Sequence, residues 1–401
     1  MSSSTAEKVA LLIIGTGMYV CGRGTDAHGT VLPAVMQAYR AGIIGDVLVA
    51  SSSGESFVTF GTKLTELSAL LGTDLPYRRY PSQNVSDPTA YLDAIRDLPE
   101  AAAVIVATPD HLHTEMALAS IKAGKHVLVV KPLAPSIADA RQLVLGVEKA
   151  GVYGAVDFHK RWDWTNLKLR DAIRQEVIGS PLYFHVEYSQ RKNIPTTLFS
   201  AWVKHTTVFQ YLGVHYADLI YFVTGDRPRR MIALGQSKWL AEQLVSTYDA
   251  IQVLVEWSKG FVSTILTNWI DPDCNSAVSQ QGIKVVGTKG RFESDQTDRG
   301  VRIVTDSGGV EAMNPYFCQP YRDLDAGRQE YRGYGIESIT QFLEDVRDII
   351  RGKRSPAQFE GRRPSFSDAL VSTAIVDGAR LSLEHGSEWV HFAEDLRPYL
   401  K

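Results

Sequence analysis

The chain has 401 residues, 22% of them charged and 44% apolar, with a formal net charge of -3. That length suits two domains, each able to bury its own core, and the composition is ordinary for a soluble globular protein. The charge balance argues against a general nucleic-acid or membrane binder, and three cysteines without a CxxC pair suggest neither a disulfide framework nor a zinc site. No metal is expected, and a cytoplasmic location is.

After a polar tail over 1–7, an apolar run forms a first strand over 8–14. It is too short to span a membrane, and it lacks the cleavage region of a signal peptide. Gly15, Thr16 and Gly17 follow directly, and such glycines permit a tight turn and a close backbone approach to a pyrophosphate. With Met18 and Tyr19 they are candidate cofactor contacts. Val20 stands where the usual dinucleotide pattern has a third Gly or Ala, and Gly22, Gly24 and Gly29 lengthen the loop. The next helix is expected near Thr30, with Pro33 in its first turn. A second strand, 46–50, ends in Ser51, Ser52 and Ser53, where a dinucleotide fold often carries an acid for the ribose 2′-hydroxyl. Serines can donate to a 2′-phosphate, which tilts the cofactor from NAD toward NADP, although no arginine follows at once to clamp it. A polar loop without selectivity is the alternative.

A helix over 62–71, a turn-rich connection over 75–87 and a helix over 91–98 lead to the most informative stretch, 107–134. An apolar strand, 102–107, ends at Thr108-Pro109; a helical pattern stops at Gly124; a second apolar strand, 126–130, ends at Lys131-Pro132. Strand, helix, strand at this spacing is a parallel unit. Thr108 and Lys131 therefore share the carboxyl edge, where open α/β sheets bind ligands. A helix over 137–150 and a strand over 152–158 continue the alternation. The expectation is an α/β Rossmann domain, a doubly wound parallel sheet, over 1–155.

The remainder, 156–401, reads differently. Helices are expected over 166–176 and 214–223, strands over 181–189, 230–235, 251–257, 261–269, 282–287, 290–293 and 301–304, and closing helices over 335–351 and 367–384. Strands in succession imply an α+β domain with a large open, mostly antiparallel sheet. Substrate binding and oligomerisation are assigned to it, as a homodimer or homotetramer.

Several segments together, namely GTG after the first strand, ATPDHLH, AGKHVLVVKPLA, LGVHYADLIYFVTG and GIESITQFLEDV, resemble the Gfo/Idh/MocA oxidoreductases over nearly the whole chain. The resemblance implies NAD or NADP and the oxidation or reduction of a sugar, cyclitol or related polyol. It places a catalytic lysine at Lys131, with Val130 where the family has glutamate. The family's TPN-x-x-H pattern falls on Thr108, Pro109, Asp110 and His113, and its Asp-x-x-x-His on Tyr211 and His215. The residues at the carboxyl edge, with Pro132, Ser51 and Ser52, are candidate cofactor contacts.

Hydride transfer also needs a proton moved to or from the substrate hydroxyl. His215 is the best general base by type, Tyr211 lies four residues earlier, and desolvation of Lys131 would lower its pKa. His159, Lys160, Arg161, Arg191 and Lys192 follow strand ends, and if they converge an acidic sugar is expected as substrate. Solvated or cofactor-facing cations are the alternative. Trp202 is a candidate cover for the cleft, stacking on a sugar or packing on protein. A competing function is an NAD-using glycosidase or lyase that oxidises a ring hydroxyl transiently.

Overall fold

A computed structural model describes residues 8–401; the polar tail lies outside them. In chain order the first half comprises β1 Val9–Ile14, α1 Met18–Cys21, α2 Val31–Arg40, β2 Ile44–Ala50, α3 Ser56–Leu71, β3 Arg78–Tyr80, α4 Ala90–Arg96, β4 Ala103–Val106, α5 His113–Lys122, β5 His126–Val130, α6 Ile137–Ala150 and β6 Gly154–Asp157. The second half begins with α7 Trp164–Arg174, β7 Pro181–Arg191, α8 Val214–Thr224, β8 Pro228–Gln236, α9 Trp239–Glu242, β9 Ala250–Trp257, β10 Val262–Asp271, β11 Ser279–Gly287 and β12 Gly290–Asp295. It ends with β13 Arg302–Thr305, β14 Gly309–Ala312, β15 Gln319–Asp323, β16 Arg328–Arg332, α10 Tyr334–Ile350, α11 Ala369–Glu384, β17 Val390–Phe392 and β18 Pro398–Leu400.

These elements form two compact units. The first contains the chain up to Leu133, Arg141–His159 and Phe317–Asp368; the second contains Ala134–Ala140, Lys160–Tyr316 and Ala369–Lys401. The spans expected from the sequence, 1–155 and 156–401, are continuous, whereas the compact units are not. The physical reason lies in α10. Its Ile336, Ile339, Phe342, Leu343 and Val346 join one buried cluster with Leu11, Ile13, Val35, Val49, Phe60 and Ile105. An amphipathic helix goes where its apolar stripe is covered, not where chain order would leave it.

The first unit is built on a six-stranded sheet in the order β3-β2-β1-β4-β5-β6, and every pairing in it is parallel. Strands buried on both faces read as unbroken apolar runs, which is why VALLII, AVIV and HVLVV carry no alternation. The chain order reverses between β1 and β4, the switch point where such sheets bind ligands. Two expectations need correction here. The connection 75–87 contains an edge strand, Arg78–Tyr80, and the helix expected at 62–71 starts at Ser56.

The second unit is built on an eight-stranded sheet in the order β12-β11-β7-β10-β9-β8-β17-β18. Its pairings are antiparallel except for β7 with β10. In β10 the buried residues alternate, Ser263, Ile265, Thr267 and Trp269, so one face is covered and the other is more open. The strand expected at 301–304 is not part of this sheet; Arg302–Thr305 pairs with Gly309–Ala312 as a separate hairpin. Among the described residues no helix is long and apolar enough to cross a membrane.

Candidate functional site

The strands of the first unit end in step. Ile14 pairs with Ala50 and Val106, Val106 with Val129, and Val130 with Asp157. The residues that follow, Gly15, Ser51, Ala107 and Lys131, therefore leave the sheet at one edge. Gly15 has φ +116°, and a methyl group there would lie 2.1 Å from the Ala107 carbonyl oxygen. Close approach of two strand ends is by itself enough to demand this glycine. Gly15→Ala should lower stability by about 1–3 kcal/mol or more, read as a fall in the urea midpoint. A Cβ on Gly17 would meet nothing within 4 Å. That open space fits a dinucleotide pyrophosphate approaching the backbone of the turn.

Thr16 and Ser51 join the turn to the end of β2, with their hydroxyl oxygens 3.2 Å apart. His113 is fully buried, and its two ring nitrogens lie 2.7 Å from the Pro132 carbonyl and 2.9 Å from the Thr108 carbonyl. It ties the segments after β4 and β5 together. A ring engaged at both nitrogens supports the edge from within.

Lys131 follows β5 directly, in a cis peptide with Pro132, and is buried. Burial pushes its pKa down to about 7, opposed by the charges of Asp110 and Asp157. An amine so placed is present in both protonation states near neutrality, which suits proton transfer. Asp157 ends the neighbouring strand and is itself buried. It accepts from Tyr19 Oη at 2.6 Å and from Ser338 Oγ at 2.5 Å. Burial opposes its ionisation, but His159, Ser338 and Tyr19 outweigh that and hold its pKa below the usual carboxylate value. His159 Nδ1 lies 3.2 Å from Tyr19 Oη, and the ring packs among Tyr19, Phe317 and Tyr334.

In the second unit the expected cations are already committed. Arg161 donates from Nε and Nη2 to Asp218 at 2.9 and 2.6 Å, with both residues buried. Lys160 Nζ donates to Gln281 at 2.5 Å and Gln296 at 3.2 Å and lies 4.8 Å from the Tyr216 ring centre. Burial pushes Lys160 down to about 7 as well, with Asp163 raising it and Arg299 lowering it. Arg191 donates to the carbonyls of Ala277 and Ser276, and Lys192 lies 4.5 Å over Trp239. Of the expected cations, His159 belongs to the first unit, while Lys160, Arg161, Arg191 and Lys192 belong to the second and make these contacts within it.

His215 is buried in the first turn of α8, with its ring 6.1 Å from that of Tyr188. Tyr211 lies in a π-helical turn, Phe209–Gly213, that leads into α8, so the two residues are not four apart on regular α-helix. Tyr211 and Trp202 share an aromatic cluster with Phe199, and Tyr211 also packs near Trp269. Trp202 packs on protein.

Residues 39–158 match the oxidoreductase family with an NAD-binding Rossmann fold, and residues 166–293 match the GFO/IDH/MocA C-terminal domain. The chain belongs to the Gfo/Idh/MocA oxidoreductase family. It is 31% identical over 216 residues to 1,5-anhydro-D-fructose reductase of Ensifer adhaerens, a match spanning 52% of this chain and 61% of that protein. It is 24% identical to myo-inositol 2-dehydrogenase of Thermotoga maritima, over 80% of this chain and 86% of that one. The fold is similar, with a TM-score of 0.68 and 18% identity, to an inositol dehydrogenase homologue from Azotobacter vinelandii solved with NADH and myo-inositol; 96% of this chain and 98% of that one are covered.

This Gfo/Idh/MocA chain is thus an oxidoreductase with an NAD-binding Rossmann domain. One functional candidate in it was missed from the sequence. Asp157 carries a signal that was available, an acid ending a buried strand at the ligand edge, while its place opposite Val130 comes only with the register.

Proposed function

We propose that the chain transfers a hydride between a nicotinamide dinucleotide and a hydroxyl or keto carbon of a sugar or cyclitol, with Lys131 as the proton-transferring group. The observation that carries this reading is a buried lysine at the ligand edge whose pKa is pushed down to about 7. The bound dinucleotide supplies the hydride acceptor or donor. Lys131 takes the hydroxyl proton in oxidation and returns it in reduction. Asp157 and Asp110 favour its charged form and keep the amine from being wholly neutral. Gly15, Thr16, Gly17, Met18, Tyr19, Ser51, Ser52, Thr108 and Pro109 are proposed to border the cofactor. His215 is proposed as a second proton carrier, supported by its residue type and burial. Tyr211 is proposed as a substrate contact.

A neutral polyol is the favoured substrate class. Arg161, Arg191 and Lys160 are engaged within their own unit, and two relatives are named for an anhydrosugar and a cyclitol. No feature of the site favours transient oxidation with return of the hydride. The test is a panel of neutral and acidic sugars and cyclitols against both dinucleotides, following nicotinamide absorbance and carbonyl product together. Stoichiometric change in both with a neutral polyol is expected. Product without net cofactor change would replace this reading with the transient one, and no turnover on the whole panel would remove it.

A further inference from the structure

The glycine-rich loop after α1 is a built turn. A methyl group on Gly22 would meet the Ala27 carbonyl oxygen at 1.9 Å, Thr25 N donates to the Gly22 carbonyl at 2.9 Å, and Lys63 on α3 donates to the Asp26 carbonyl at 3.3 Å. This fixed loop carries one half-buried arginine, Arg23, to the end of β2. Its Nη2 donates to Thr16 Oγ1 at 2.8 Å and to the Ser56 carbonyl at 3.1 Å, and the same Thr16 hydroxyl lies 3.2 Å from Ser51 Oγ. The Nε of Arg23 is buried and makes no hydrogen bond among the described residues. Ser52, the next residue, is exposed. The loop that presents the serines is also fixed, since Gly54 N donates to Val85 O and Asp87 N to Ser52 O, both at 2.9 Å. A second guanidinium, Arg79, lies 5.9 Å over the ring of Phe57 in the first turn of α3.

The chemistry of this corner is that of an anion site. A ribose 2′-hydroxyl is held best by a carboxylate that accepts its hydrogen bond. No acid stands at 51–53. The nearest carboxylate in sequence, Glu55, is exposed, and its backbone nitrogen donates to Ser53 Oγ at 3.3 Å. What the corner offers instead is two serine hydroxyls and a half-buried arginine whose Nη2 reaches the Thr16 hydroxyl beside Ser51. A dianionic phosphate accepts from such groups, and an arginine is suited to it in a way that a neutral hydroxyl does not repay.

We infer that the end of β2 is a phosphomonoester subsite in which Arg23, Ser51 and Ser52 receive the 2′-phosphate of NADP(H), so that NADP(H) is the preferred cofactor. The inference rests on the dinucleotide reading of the carboxyl edge. Arg23 departs from the usual placement, coming from the loop after the glycine turn instead of from the residues just beyond β2.

The test is calorimetric titration of the full chain with NADPH and NADH, without substrate. NADPH should bind about 10- to 100-fold more tightly, the scale of one or two charge-assisted hydrogen bonds. Arg23→Gln should remove most of that ratio by weakening NADPH alone. Because Arg23 also ties Thr16 to Ser56, a second variant guards the result: Ser51→Asp should invert the preference, repelling the phosphate and accepting from the 2′-hydroxyl. Ligand-free melting curves matching the parent show that both variants fold. Equal binding of the two dinucleotides, or a ratio that Ser51→Asp leaves unchanged, overturns the inference and leaves the dinucleotide reading intact. Failure of both dinucleotides to bind the parent chain overturns that reading itself.

Discussion

Lys131→Met should reduce turnover by about 100- to 10,000-fold, the usual contribution of a positioned acid or base, while the melting temperature at neutral pH holds or rises. The two halves of this expectation have one cause. Burial pushes the Lys131 pKa from its ordinary 10.5 down to about 7, against the pull of Asp110 and Asp157. The folded chain therefore binds fewer protons than the unfolded chain between those values. Stability linked to this group is complete above the unfolded value and is lost as pH falls toward about 7. Methionine removes that dependence and keeps most of the side-chain volume. For the chemistry, the neutral amine is the form that accepts a proton, so oxidation should rise as pH climbs through about 7, and reduction should fall. Asp157→Asn gives the sign test. Its charge raises the Lys131 pKa, so the variant should move the inflection downward. An oxidation rate that stays flat between about pH 6 and 8, or an inflection that moves up in Asp157→Asn, would contradict the role given to Lys131.

How much of this was legible in the sequence differs by residue, and the difference is physical. Strands buried on both faces must be apolar throughout, so the runs at 102–107 and 126–130 locate Ala103–Val106 and His126–Val130 within a residue. Parallel pairing then places Lys131 at the ligand edge without any knowledge of packing. Arg78–Tyr80 follows no such rule. It is a short, largely exposed edge strand, held by pairing with β2, and its letters are those of a loop. The apolar stripe of α10 was visible, but a stripe does not say which core will cover it. Charged residues are the least legible. Lys160, Arg161 and Arg191 announce positive charge, yet their acceptors lie 121, 57 and 86 residues further along the chain. Sequence shows that a charge exists, while folding decides whether it is spent on the protein or left for a ligand. Asp157 shows the same limit: it stands 26 positions beyond Lys131, and only the pairing of Val130 with Asp157 brings it alongside.

The buried pair of Arg161 and Asp218 carries the second large expected effect, and it falls on stability. Arg161 is 7% exposed and Asp218 1%, and the guanidinium meets the carboxylate through two hydrogen bonds of 2.9 and 2.6 Å. The guanidinium carbon also lies 5.1 Å from the centre of the Phe222 ring. Neutralising one member of such a pair removes a two-bond contact from the buried charge that remains, so Asp218→Asn should cost about 3–5 kcal/mol and lower the melting temperature by on the order of 10 °C. Arg161→Met/Asp218→Leu together should recover most of that loss, because removing both charges removes the desolvation penalty with the attraction. Arg230 and Glu256 provide an internal contrast. They form an equally short pair, 2.6 Å, with much greater solvent access, and breaking it should change the melting curve little. The same experiment separates two readings of Arg161. A residue that clamps an acidic substrate would raise KM when replaced and leave the ligand-free melt unchanged. A residue that holds its own unit together does the reverse: Arg161→Met should melt early without any ligand present, and its partner variant Asp218→Asn, which leaves the arginine in place, should melt early as well. Matched early melting of the two single variants, with recovery in the double, is the pattern expected of two buried partners.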